Sequence, residues 1–299
     1  MEYAQTVLTQ VVIMFLLAGI GAILFRCKKI TAAGSQSMGN LLIYLSLPAV
    51  IIQSFLVECT QQRIIGLLVS AIGALVSLVL SILISRLFFK KDAIAQFAAS
   101  FSNPGFFGIP IIAACLGSEC VFYVAAYIAL LNLFQWSYGV SILSGSQTAF
   151  PWKKLLNAPF LIAIVIGLLL FFTGLPLPGI VKSSISLLAG LNTPLAMFTV
   201  GVYLAQIDWR QVLRRVSLLK ISAVKLLAVP VATLLVLSLL PESMSDLKIA
   251  LLIAAACPTG SNLVVYAQLL HNCDAQYASE AVIVTTLLSV LTLPLFVRA

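Results

Sequence analysis

The sequence predicts an all-α polytopic membrane protein with ten transmembrane helices, and three observations support this fold class. First, 62% of the 299 residues are hydrophobic and only 9% are charged, and the mean hydropathy is +1.13. Because soluble domains carry about 25% charged residues, this composition indicates a chain that resides in a bilayer. Second, apolar runs of spanning length follow one another along the whole chain. Third, helix-breaking residues interrupt two of these runs at matching places in the two halves.

Counting runs of about 20 apolar residues gives the ten predicted spans. They cover residues 6–25, 37–57, 64–87, 94–115, 121–143, 157–174, 183–205, 217–239, 248–270 and 277–297. The first run does not have the pattern of a cleaved signal, because Glu2 and no basic residue precedes it. Arg26, Lys28 and Lys29 follow it, as expected at the end of a span.

The basic residues test this count independently, since the net charge is +8. With the N-terminus outside, 12 of the 17 Lys and Arg residues fall in inside loops and four in outside segments. Lys225 falls within the eighth predicted span. This bias predicts ten spans with both termini outside. The basic residues therefore orient the protein in the lipid bilayer, and we expect no nucleic-acid partner.

An interruption of the apolar pattern between Gly145 and Trp152 divides the chain into two halves of five spans each. The predicted units are residues 1–145 and 155–299. Because five is an odd number, the second half enters the membrane in the opposite orientation, which defines an inverted repeat. Pro48 in span two and Pro194 in span seven occupy matching places, and both interruptions fall in the fourth span of their half. The predicted fold is therefore a 5+5 inverted repeat in which spans four and nine are broken.

The two breaks indicate a binding site. Span four contains Ser102-Asn103-Pro104-Gly105-Phe106-Phe107-Gly108-Ile109-Pro110, and span nine contains Cys257-Pro258-Thr259-Gly260-Ser261-Asn262. Lipid does not tolerate backbone groups without partners, so the breaks must face protein or a water-filled cavity. Freed amides at the start of a resumed half-helix carry a partial positive charge, which favours an anion and particularly a carboxylate. Such a pair of breaks is typical of the binding site of a secondary transporter.

The candidate substrate-binding residues come from these breaks and from two amides that are one helical turn apart in span five. They are Ser102, Asn103, Pro104, Gly105, Pro258, Thr259, Ser261, Asn262, Asn132 and Gln135. The span-five pair either lines a cavity or bonds to a neighbouring helix. For Lys225 three interpretations stay open: a counter-charge for an anionic substrate, a substitute for a coupling ion, or a side chain that reaches the membrane surface. No metal site is expected.

The motif Asn103-x-Gly105-x-x-Gly108-x-Pro110 resembles the fourth-span motif of the auxin efflux carrier family. Further similarity lies in Pro194-Leu195-Ala196-Met197-Phe198-Thr199-Val200-Gly201 and in Pro258-x-x-x-Asn262 followed by Ala267. It continues through the segment from Thr285 to Pro294. Taken in order, these motifs extend the resemblance over nearly the whole chain.

The resemblance implies a ten-span fold in which broken spans four and nine cross, shared with bile acid:sodium symporters and sodium/proton antiporters. It also implies a scaffold of spans one, two, six and seven, a moving transport unit of spans three to five and eight to ten, and a homodimer formed through the scaffold helices. Its substrates would be small organic anions such as dicarboxylates or indole acetate. The short central loop is similar to that of bacterial members, which predicts a place in the bacterial cytoplasmic membrane.

We therefore expect a secondary carrier that moves a small organic anion by alternating access, with the substrate bound at mid-membrane between the broken helices. The alternatives are a sodium-coupled carrier of the bile acid symporter type and a transporter-like ligand sensor. An enzyme is not expected, because the sequence has no His cluster, no paired intramembrane carboxylates and no Gly-x-Ser-x-Gly.

No cofactor is expected, and coupling to Na⁺ or H⁺ stays open. No Asp or Glu lies deep in a predicted span, and Glu280 falls near the end of span ten. Gln268 stands where relatives often have an acid, which argues against proton coupling through a carboxylate. Sodium can still bind through neutral oxygen ligands.

Overall fold

The computed structural model describes residues 2–145, 157–270 and 273–297. In this part of the chain the helices are α1 Glu2–Arg26, α2 Ala32–Ser54, α3 Gln61–Phe88, α4 Ala93–Ser100, α5 Pro104–Leu116, α6 Ser118–Ser144, α7 Pro159–Thr173, α8 Gly179–Gln206, α9 Trp209–Val212, α10 Val216–Leu237, α11 Ser245–Ala256, α12 Asn262–Leu269 and α13 Ala275–Phe296. The described residues form no strand beyond one isolated antiparallel bridge. The predicted all-α class is confirmed.

Seven of the described helices are long and apolar enough to cross a bilayer. They are α1, α2, α3, α6, α8, α10 and α13. Two further apolar helices, α5 and α7, are shorter. The remaining predicted spans, four, six and nine, fall on α4 with α5, on α7, and on α11 with α12. The molecule is thus a multi-pass membrane protein, and the count of ten crossings stays a prediction.

Short polar side chains fix where several helices begin. Thr31, Thr60, Asp92 and Asp274 precede α2, α3, α4 and α13, and each accepts a hydrogen bond from a backbone N–H of the first turn. These bonds satisfy amide donors that have no partner within the helix. The apolar run that follows each cap then continues as a helix.

Four of the described helices contain a π-helical turn, which accommodates one extra residue in the helical ladder. The turns are Leu42–Ser46 in α2, Pro104–Gly108 at the start of α5, Gln135–Gly139 in α6 and Val224–Ala228 in α10. Turns of this kind are frequent at functional sites.

The centre of the molecule is formed by α4 and α11. Every residue of α4 from Ile94 to Ser100 is buried, as is every residue of α11 from Ala250 to Ala256. Around this centre, α4 packs against α3, α10 and α13, and α11 packs against α3, α6, α10 and α13. On the other side, α1 packs on α8, and α2 packs on α7 and α8. The division into a scaffold and a moving unit stays a prediction.

Glycines allow α1 and α8 to pack at backbone contact distance. A Cβ at Gly21 would lie 2.6 Å from the carbonyl oxygen of Phe198. Gly201 lies against the backbone of Ala18 and Ala22, so it leaves no room for a Cβ. In lipid the hydrophobic effect does not drive helices together, so close van der Waals packing of this kind stabilises the pair.

We predict that Gly201→Ala destabilises the protein. The new methyl group meets the α1 backbone, which cannot move aside like a flexible side chain, so the two helices must separate. The expected cost is about 1–3 kcal/mol, measured as a melting temperature several degrees lower in detergent. The matched control is Gly19→Ala on α1, since nothing lies within 4 Å of a Cβ there. Equal melting temperatures for the two variants would contradict this account.

Candidate functional site

Two extended segments cross in the middle of the molecule, one after α4 and one after α11. Ser102 and Thr259 form the isolated antiparallel bridge, and the Gly260 N–H donates to the Phe101 carbonyl at 3.0 Å. A Cβ at Gly260 would lie 3.0 Å from the Ser102 carbonyl oxygen. Glycine at position 260 therefore permits this close approach.

At the end of α4, side chains from elsewhere bond the carbonyl groups that the helix leaves open. Pro104 has no N–H to donate to the Ser100 carbonyl, four residues earlier. The Ser81 hydroxyl of α3 donates to that carbonyl at 2.7 Å. The Thr259 hydroxyl donates to the Ala98 carbonyl at 2.8 Å. The second extended segment thus completes the helix end of the first.

At the end of α11, a lysine has the corresponding role. In a continuing helix the Thr259 N–H would bond the Ala255 carbonyl, but it donates to the Thr285 hydroxyl at 3.2 Å. The Lys225 ammonium donates to the Ala255 carbonyl instead, at 3.3 Å. The Lys225 side chain is only 1% exposed, so it does not extend to the membrane surface.

The structure brings Gln135 of α6 to Asn262 at the start of α12. The Asn262 amide donates to Gln135 Oε1 at 3.0 Å. Gln135 is 1% exposed, and its Nε2 has no hydrogen-bond partner among the described residues. Asn132 donates to the Ile128 carbonyl of its own helix at 2.8 Å. One buried donor therefore stays free at the crossing, which is expected where a polar ligand binds.

A cavity of about 470 Å³, here called the Tyr44 cavity, lies beside the crossing. Apolar side chains form most of its wall, and the aromatic ones are Tyr44, Phe106, Trp136, Phe160 and Tyr266. Three amide side chains, those of Asn132, Asn157 and Asn262, provide its polar groups. None of its lining residues is Lys, Arg, Asp or Glu.

A crevice of about 40 Å³ adjoins the Tyr44 cavity along Phe106 and Asn262. Asn103 and Ser261 line this crevice. Of the predicted site residues, two amides therefore line the Tyr44 cavity and two further polar residues line the crevice between it and the crossing.

The other predicted site residues lie within the crossing itself. Ser102 and Thr259 are buried, and the Ser102 hydroxyl lies 3.4 Å from the Tyr127 hydroxyl. Pro104, Gly105 and Pro258 are also buried. These five residues support the crossing, and direct contact of any of them with a substrate stays a prediction.

A second cavity, here called the Gln53 cavity, has a volume of about 680 Å³. It meets α2 at residues 50–54, whereas the Tyr44 cavity meets α2 at residues 43–47. Seven residues of helix correspond to about 10 Å. The two cavities are therefore displaced from each other along the same helix.

Sequence reasoning missed Asn192, which lines the Gln53 cavity. Its amide donates to the Gly105 carbonyl at 2.9 Å, and its Oδ1 is buried without a partner among the described residues. Its place two residues before Pro194, at the start of the span-seven motif, is the signal that could have found it.

Sequence reasoning also missed the burial of Glu280. This carboxylate was placed near the end of span ten, but it is fully buried and lies 3.0 Å from the Arg215 guanidinium. Arg215 also lies 3.5 Å from Asp274 and stacks over the Tyr277 ring. The Tyr277 hydroxyl donates to Asp92 at 3.0 Å. The group ties the start of α13 to the starts of α10 and α4.

Comparison with known proteins agrees with a membrane role. A family model described as a membrane transport protein matches residues 6–151 and 147–297, nearly the whole chain. The chain is similar to an uncharacterized transporter of Methanothermobacter thermautotrophicus (strain Delta H), with 24% identity over 311 residues. This similarity covers 99% of the chain and 98% of the relative.

We predict that Thr259→Val destabilises the crossing. Valine keeps the shape of threonine but leaves the Ala98 carbonyl without its donor, at a cost of about 1–3 kcal/mol. The measurement is the melting temperature in detergent. The matched control is Thr233→Val, because Thr233 is fully buried and its hydroxyl has no partner among the described residues. That change should be neutral or stabilising; a greater loss for Thr233→Val than for Thr259→Val would contradict the role of the crossing bond.

Proposed function

We propose that this chain, which belongs to the auxin efflux carrier family of membrane transport proteins, is a secondary carrier of a small organic anion. The family assignment makes the chain a multi-pass membrane transport protein. The proposal adds a substrate class, a binding place beside the crossing and a mechanism of alternating access.

The observation that carries the proposal is the start of α12 at the wall of the Tyr44 cavity, with an unpaired buried amide donor behind it. Asn262 begins α12 and lines the cavity, so the partial positive charge of that helix end favours an anion there. The free Nε2 of Gln135 lies next to Asn262. A carboxylate that accepts these donors leaves its organic body among the aromatic side chains, which supports a substrate with an apolar part.

The proposed topology has ten crossings, arranged as the 5+5 inverted repeat. Two of these crossings are made by the pairs α4 with α5 and α11 with α12, whose members are separated by extended segments deep in the molecule. Such irregular backbone is tolerated at membrane depth only where protein or a cavity surrounds it. The bias of basic residues supports both termini outside, and the short central loop, similar to that of bacterial members, supports the bacterial cytoplasmic membrane.

Two observations support alternating access. The Tyr44 and Gln53 cavities meet α2 about 10 Å apart, as expected of two access routes to one site. One side of the Tyr44 cavity is formed by α2 and α7, and one side of the Gln53 cavity is formed by α2 and α8. The other side of each cavity is formed by helices around the crossing. The Asn192 bond to Gly105 joins these two groups of helices, so their relative movement requires this bond to exchange.

We predict that carboxylates raise the melting temperature of the purified protein. A ligand that binds only the folded state stabilises it by mass action. Benzoate and succinate are the probes, tested with Na⁺ and pH varied; benzylamine and benzyl alcohol provide matched shapes without the negative charge. Stabilisation by the amine or the alcohol, with none by either carboxylate, would argue against an anion carrier.

We predict that Asn103→Ala slows transport of a stabilising carboxylate at least tenfold in proteoliposomes. A hydrogen bond to a charged group contributes about 1.5–3 kcal/mol, and about 1.4 kcal/mol corresponds to tenfold. The melting temperature should stay within a few degrees of the wild-type value. Asn40→Ala, at an exposed asparagine of α2, is the control. Wild-type transport rates in a folded Asn103→Ala protein would remove Asn103 from the site.

A further inference from the structure

A carbonyl at the end of each helix that precedes a break accepts a hydrogen bond from a side chain of a neighbouring long helix. The Ser81 hydroxyl of α3 bonds the Ser100 carbonyl at the end of α4, and the Lys225 ammonium of α10 bonds the Ala255 carbonyl at the end of α11. In the proposed repeat, α3 and α10 are the third crossings of their halves. Each helix end thus receives a donor from the third crossing of its half, but only the donor at α11 carries an amino group.

Lys225 has no ion-pair partner among the described residues, and its ammonium is bonded to a backbone carbonyl instead. Its side chain is 1% exposed and lies in the π-helical turn of α10. The ion pairs found among the described residues involve Arg63 and Arg215, and none involves Lys225. The carbonyl end of α11, with the negative end of its helix dipole, therefore offsets the ammonium charge.

We propose that the Lys225 ammonium takes the place of a coupling cation at the end of α11. In secondary transporters, unwound carbonyl groups and the C-terminal ends of half-helices coordinate Na⁺ or accept H⁺. Here the lysine nitrogen occupies such a position, and an oxygen-bound Na⁺ has the same charge. Since α10 and α11 pack on each other, the tethered cation stays with the crossing at every stage of transport. The carrier then binds its substrate without Na⁺ at this end.

The inference deepens the proposed carrier function, and its test needs no substrate. The melting temperature of purified protein is measured in NaCl and in choline chloride at equal ionic strength. The wild-type protein should show no Na⁺-specific shift. Lys225→Ser, which gives α10 the hydroxyl that α3 has at Ser81, should open the carbonyl end to Na⁺. Its melting temperature should rise with Na⁺, saturably, by about 5 °C at a concentration 100 times the dissociation constant.

Two further variants make the result specific. Lys225→Arg keeps the cation and should remain insensitive to Na⁺. Lys220→Ser removes an exposed lysine of α10 and should behave like the wild type. A saturable, Na⁺-specific rise in the melting temperature of the wild-type protein would overturn the inference. This measurement can be made even if Lys225→Ser does not fold. A folded Lys225→Ser protein that responds to Na⁺ no more than Lys220→Ser would overturn it as well. Because the assay contains no carboxylate, a failure here is separate from a failure of the anion-carrier proposal.

Discussion

The structure around the site depends on how the open carbonyl groups at the ends of α4 and α11 find donors. In a membrane interior no water replaces a missing backbone partner, and each unsatisfied group costs several kcal/mol. At the end of α4, Pro104 lacks the N–H that a continuing helix would supply, and at the end of α11 the Thr259 N–H donates to the Thr285 hydroxyl instead. The two segments can therefore be irregular only because each lies beside the other and beside side chains of α3 and α10.

This requirement separates the polar residues of the crossing into two groups. Ser81, Thr259 and Lys225 each donate to a helix-end carbonyl, so the fold engages these three side chains. Asn103 and the Nε2 of Gln135 are not used in this way: the first lines the crevice and the second has no described partner. Polar residues that lie close together at the crossing thus differ in role according to whether a backbone carbonyl uses them.

The sequence predicts some of this arrangement because its strongest signals are local. Prolines and glycines constrain the backbone wherever they occur, and α4 and α11 do end just before the Pro104 and Pro258 segments. The apolar runs likewise predict the long helices. The donors Ser81 and Asn192 could not be predicted, since each bonds a carbonyl that is distant in sequence. The burial of Glu280 was missed because a carboxylate near a span end ordinarily faces water, and only the position of Arg215 in the fold changes that expectation. His271 lies outside the described residues.

The four π-helical turns have a consequence for how the surfaces of these helices are specified. An α-helix rotates by about 100° per residue, so one inserted residue turns the face of everything beyond it by that amount. In α2 and α6 the side chains after the turn therefore point in directions rotated relative to those of an uninterrupted helix. Tyr44 and Trp136 lie within these turns and line the Tyr44 cavity. The position of each π-helical turn therefore helps to determine which face of the helix lines the cavity and which faces lipid.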